Sequence, residues 1–134
     1  MIENEWITGN NDYGKALAVR KKVYGEDEDF LDSQSIHLII YYEEIACGAG
    51  RIFHNGQHFF IDKICVLPDM RGKGLGDLAA RLLIFKAIKF SGEVFAEKCE
   101  YLEKFGFRQT DKGFYVKKDG LVFPSKCGEA ENGI

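Results

Sequence analysis

Arg71, Lys73 and the glycines at 72, 74 and 76 stand together, between an apolar run and a long apolar segment. Glycine has no Cβ, so three of them just ahead of a helix let a ligand approach the main chain. The first amides of a helix have no intrahelical partner and lie at its partial positive end. Such a place takes phosphate, and the two basic side chains add charge at its rim, arginine through paired hydrogen bonds. Phosphate binding is the chemistry this stretch offers. Two common loops do not fit it: a P-loop needs Gly-x-x-x-x-Gly-Lys-Ser/Thr, and a dinucleotide fingerprint needs Gly-x-Gly-x-x-Gly.

The elements around this turn follow from pattern. Residues 59–67 are rich in β-branched and aromatic types and read as a strand, which Pro68 ends. After the glycines, Leu78, Leu82, Phe85 and Lys89 repeat at helical spacing on a segment whose other faces are also apolar, which predicts a helix buried on more than one side. Upstream, residues 2–8 form a strand, and Tyr13, Ala16, Leu17, Arg20, Val23 and Tyr24 recur as a helix that packs on the sheet and ends at Gly25. The acidic run 25–30 reads either as a solvated loop or as a patch that attracts a cation.

Ile36–Tyr42 and Ile45–His54 are strands, and Asn55-Gly56 is a strong hairpin signal, so three antiparallel strands result. Gly48 and Gly50 leave room in the middle one for a neighbouring backbone or a ligand. Residues 93–96 predict a strand beside 59–67, and 97–105 a short helix closed by Gly106. A terminal hairpin is expected from 114–116 and 121–123, with a polar tail at 127–134.

Read as Arg-x-x-Gly-x-Gly, with Arg71, Gly74 and Gly76 behind Val66-Leu67-Pro68, the turn resembles the acyl-CoA-binding motif of the GNAT (Gcn5-related) N-acetyltransferase superfamily. Tyr101-Leu102-Glu103-Lys104-Phe105-Gly106-Phe107 resembles that family's later Tyr-Glu-Lys-Leu-Gly-Phe segment, and Gly48 to Arg51 its Gly-x-x-Arg strand. The resemblance implies an α/β (α+β) fold, with a mixed, mainly antiparallel central sheet flanked by helices and a splay between the fourth and fifth strands. It implies that the pantetheine arm of acetyl-CoA lies along Ile64, Cys65 and Val66. The pyrophosphate would rest on Arg71, Gly72, Lys73, Gly74, Leu75 and Gly76.

The chemistry so implied is acyl transfer from a thioester to an amine. An alkylammonium keeps its proton to about pH 10, so an acceptor for that proton is needed near the splay. Asp62 is the candidate base: it shares strand parity with Ile64 and Val66 and sits where the resembled family sometimes carries an acid. Its other reading is a salt bridge with Lys63 or with a neighbouring strand. His54 and His58 flank the hairpin turn and read as exposed turn residues. The resemblance assigns the oxyanion to the Val66 amide. Where the family carries the tyrosine that protonates the departing thiolate, this chain has Leu102, and Tyr101 is rotated by about 100 degrees from that position.

A chain of 134 residues, 46% of them hydrophobic, predicts one domain over 1–134 with a real core. A net charge of −3, with no basic run interleaved by aromatics, argues against a nucleic-acid partner. The absence of a long apolar span and the acidic start argue against membrane insertion or export and for a cytoplasmic place. Cys47, Cys65, Cys99 and Cys127 lack zinc spacing and read as free thiols, so no metal is expected. Two functions stay open: an acetyl-CoA-dependent N-acetyltransferase acting on a small-molecule or peptide amine, or an acyl-CoA-binding sensor without turnover. A local likeness, with the loop holding another phosphate compound, is a third. Whether the apolar terminal hairpin pairs two copies into a homodimer stays open too.

Overall fold

The computed structural model describes residues 1–123, so the expected polar tail and Cys127 lie outside it. In chain order it runs β1 (Ile2–Thr8), α1 (Gly14–Tyr24), β2 (Ile36–Tyr42), β3 (Ile45–His54) and β4 (Phe59–Val66). Then come α2 (Leu75–Ser91), β5 (Glu93–Phe95), α3 (Glu100–Glu103), β6 (Arg108–Thr110) and β7 (Gly113–Lys117). One seven-stranded sheet takes the order β1-β2-β3-β4-β5-β7-β6. Every neighbouring pair is antiparallel except β4 and β5, which are parallel. The fold is the mixed, helix-flanked sheet that the resemblance implied.

The two helices lie on opposite faces because the strands are apolar on both. Ala16 and Val19 of α1 pack on Ile39, Ala49 and Cys65, while Ala79, Ala80, Leu83, Ile84 and Ala87 of α2 pack on Leu38, Ile40, Ile52, Ile61 and Val66. The buried face of α2 is thus not the stripe 78–82–85–89. Phe85 on that stripe is 54% exposed, because small alanines on the other side let the helix settle closer to the sheet. Gly50 permits this approach: a Cβ there would stand 2.4 Å from Cδ1 of Leu83. The space left by this glycine belongs to α2 and not to a ligand.

The C-terminal expectations need two corrections. Leu121 to Phe123 is no strand, and the hairpin pairs β6 with β7 instead. Lys118–Gly120 forms a single 3-10 turn, after which Val122 donates its N–H to the carbonyl of Phe105 at 2.9 Å. The segment therefore docks on the end of α3. The helix itself covers only Glu100–Glu103, since Cys99 keeps an extended backbone.

Candidate functional site

β4 and β5 are in register at one point, Phe60 with Phe95, and part beyond it. Ala96 turns its N–H to Phe114, at 3.0 Å, and on the other side Leu67 donates to Cys47 at 2.8 Å. Main-chain groups alternate direction along a strand, so with Leu67 bonded toward β3 the N–H and C=O of Val66 face the gap. A cavity of about 180 Å³ lies there, lined by Ile64, Cys99, Tyr101 and Leu102 among others. Beside it opens a second, of about 510 Å³, walled by Tyr24, Glu26, Phe53 and Phe60. Asp62, Lys63 and Glu97 line both.

The glycine-rich turn stands at the C-terminal end of β4. Gly72 and Gly74 have φ of 85° and 77°, a left-handed backbone that glycine adopts without strain. A Cβ at Gly72 would meet nothing within 4 Å. None of the amides of Gly72, Lys73, Gly74, Leu75 and Gly76 has a hydrogen-bond partner among the described residues. Their polarity is satisfied by solvent or by an anion, and the donor set fits a pyrophosphate. Lys73 is exposed, with Nζ 5.0 Å from the ring centre of Tyr42. Arg71 is folded inward, and its Nε donates to the carbonyl of Val66 at 3.0 Å. That bond ties the phosphate turn to the edge of the gap.

Asp62 lies on the opposite face from Ile64 and Val66, which corrects the expected parity. Arg51 pairs with Asp62 and Ala49 with Cys65, so Gly50 alone faces both Lys63 and Ile64. Such a two-against-one bulge shifts the alternation by one residue, and Lys63 carries it with φ of 57°. On the α1 face Asp62 accepts from Nε and Nη2 of Arg51 at 2.9 and 2.7 Å. The salt bridge therefore runs to a neighbouring strand and not to Lys63, which pairs with Glu26 at 2.6 Å. Burial pushes the Asp62 carboxyl up, against the opposing pull of Arg51.

Sequence reasoning missed what stands behind this pair. Arg51 also reaches Asp29 and Asp32 at 2.8 and 3.0 Å, and Arg20 of α1 grips Asp32 at 2.7 Å. Arg20, Asp32 and Arg51 are all buried. The signal was present, because Arg20 falls within the apolar stripe of α1, and a charge on a core-facing stripe needs a buried partner. The acidic run 25–30 is also less solvated than a plain loop, since Glu26, Asp29 and, through the Tyr13 hydroxyl, Glu28 are all engaged.

Burial raises the Asp32 carboxyl, but Arg20, the Asp29 amide and Arg51 outweigh it and bring it from 3.8 to about 2. A depressed carboxyl contributes stability above its unfolded value and loses it as pH falls from about 3.8 to about 2, here about 2 kcal/mol. His37, lowered by burial, adds a loss of the same sign below its unfolded value of 6.5, while Asp62 works against the trend. Urea unfolding at pH 6 and pH 2.5 should show Asp32→Asn losing about 2 kcal/mol less than the wild type over that interval. Equal losses would deny Asp32 this role.

At the other wall Leu102 is buried, and the Tyr101 hydroxyl donates to Asp77 at 3.0 Å. Asp77, buried in the first turn of α2, also holds Lys104 at 2.9 Å. These contacts fasten α3 to the start of α2. Tyr101→Phe should cost about 1.5–3 kcal/mol of stability, the worth of a hydrogen bond to a charged group, and leave kcat within about twofold. A kcat loss beyond tenfold at unchanged stability would make Tyr101 the acid after all. The other phenol at the gap, Tyr24, donates to the carbonyl of Ile64 at 2.7 Å, and burial pushes it up to about 12.

A mainly antiparallel sheet, opened beside its one parallel pair and with a glycine-rich helix start at the mouth, is the architecture of the GNAT acyltransferases. The match to the acetyltransferase (GNAT) family runs over residues 5–107, and the chain belongs to that family. It is 27% identical over 133 residues to a candidate acetyltransferase of Bacillus subtilis (strain 168), covering 86% of this chain and 88% of the relative. Among solved structures it resembles an acyl-CoA N-acyltransferase from Pseudomonas aeruginosa with a TM-score of 0.71 and 16% identity, over 82% and 89% of the two chains. A GNAT family acetyltransferase from Elizabethkingia anophelis with acetyl-CoA bound gives 0.64 and 21%, over 82% and 78%.

Proposed function

We propose that the protein transfers the acetyl group of acetyl-CoA to a primary amine of a small molecule or peptide by direct attack. The observation that carries this reading is the row of amides at 72–76, unpartnered among the described residues and set at the mouth of a gap that the N–H of Val66 faces, with the Val66 carbonyl tied to Arg71. A pyrophosphate on that row, with Arg71 and Lys73 beside it, would send the pantetheine arm along Ile64, Cys65 and Val66 as an added strand. Acetyl-CoA supplies an activated acyl carbon. The Val66 amide stabilises the oxyanion that amine attack creates. The carbon–sulfur bond then breaks, and the thiolate leaves unaided, since its thiol has a pKa of about 8.5. The amine's proton passes to water, and Asp62 at the junction of the cavities serves that relay indirectly, because Arg51 occupies both its oxygens.

The test is thiol release from acetyl-CoA in the presence of a panel of primary amines, alongside thermal stabilisation by CoA. Turnover with any amine and a melting shift that ATP or NAD does not compete away support the reading. A CoA-dependent shift without thiol release overturns the catalytic part and leaves a sensor, the reading that Leu102 and the occupied Tyr101 hydroxyl favour.

A further inference from the structure

We infer that the larger cavity selects an amine of single positive charge with a flat, apolar body, and that Glu97 is the side chain that holds its ammonium. This rests on the acetyl-transfer reading and names the acceptor for it. Three carboxylates line the cavity: Glu26, Asp62 and Glu97. Two are already matched. Glu26 stands 2.6 Å from Nζ of Lys63, and both oxygens of Asp62 take hydrogen bonds from Arg51. Glu97 has no hydrogen bond or ion pair among the described residues.

Of the three, Glu97 alone has no partner among the described residues, and it is exposed to the cavity. A polyamine would need several open carboxylates, and Lys63 repels a second ammonium. Glu97 also lines the gap cavity, so an ammonium on it stands where the two cavities meet. The rest of the wall is aromatic. Phe53 and Phe60, cross-strand partners, stack with centroids 5.3 Å apart and planes 10° from parallel, and Tyr24 stands with them. Such a surface takes a ring or a flat hydrocarbon. The guanidinium of Arg51, 5.2 Å from the Phe53 ring centre, holds that ring in place.

The experiment measures thiol release by wild type and Glu97→Gln with 2-phenylethylamine, butylamine and spermidine, and the melting shift with CoA for both proteins. In the wild type, 2-phenylethylamine should give the highest kcat/KM, by about tenfold over each of the others. Glu97→Gln should raise its KM about tenfold with kcat within about twofold, the effect of losing one charge-assisted contact. The CoA shift should be the same in both. A preference for spermidine or butylamine, an unchanged KM in Glu97→Gln, or no turnover of 2-phenylethylamine beside an intact CoA shift overturns this inference and leaves the coenzyme site standing. Absence of the CoA shift from the wild type overturns the acetyl-transfer reading itself.

Discussion

Gly74→Glu abolishes CoA binding: the melting shift of the wild type, about 2.7 kcal/mol of stabilisation at a hundred times Kd, should vanish. Two effects act together. The glutamate puts a side chain at the start of α2, where five successive amides are open, and it sets a negative charge against the pyrophosphate. At about 4 Å and an effective dielectric constant near 20 that repulsion is about 4 kcal/mol, or roughly a thousandfold in affinity. The backbone at Gly74, with φ of 77°, adds strain of about 1–2 kcal/mol to the folded state whatever the new side chain. Gly74→Asn separates the two effects. Asparagine tolerates the left-handed backbone and carries no charge, so its CoA affinity should fall much less. Unchanged affinity in Gly74→Glu would remove the coenzyme from this turn.

Arg51→Met should cost about 3–5 kcal/mol of stability, the range found when one partner of a buried ion pair is deleted. Arg51 is 1% exposed and bridges Asp29, Asp32 and Asp62, so its loss strands carboxylates in a low-dielectric layer between α1 and the sheet. Against a typical total of about 5–15 kcal/mol this is a large fraction. Arg51→Lys should recover only part of it, because a lysine cannot offer the planar fork that Asp62 uses. Urea midpoints at pH 7 and pH 3 check the mechanism: the deficit of Arg51→Met should shrink at pH 3, where stranded carboxylates protonate. A deficit independent of pH would mean that Arg51 acts by packing its stem.

The turn at 71–76 was legible because glycine spacing, a strand before and a helix after are local facts, and local facts survive folding. Strand boundaries through residue 66 were legible for the same reason. The parity of Asp62 was not, since a bulge is decided by what lies across the sheet, and only the pairing of Gly50 with two residues reveals it. The terminal hairpin failed likewise: 121–123 has strand-like types, but the carbonyl of Phe105 offers its backbone a closer partner than β7 does. Glu97 carried no signal at all. It sits in a stretch read as helix, and its place beside both cavities depends on where β5 ends.

The single register point between β4 and β5 has a mechanical consequence. Four strands on one side and three on the other are laced by scarcely any main-chain bonds, so the sheet behaves as two plates. At the closed end aromatic rings rivet them, Phe60 on Phe95 at 5.5 Å and His58 on Phe95 at 4.1 Å, while α2 lies under both plates like a spine. A guest threaded along the open seam would supply the missing stitches, so stiffness in the smaller plate becomes something that the guest brings with it.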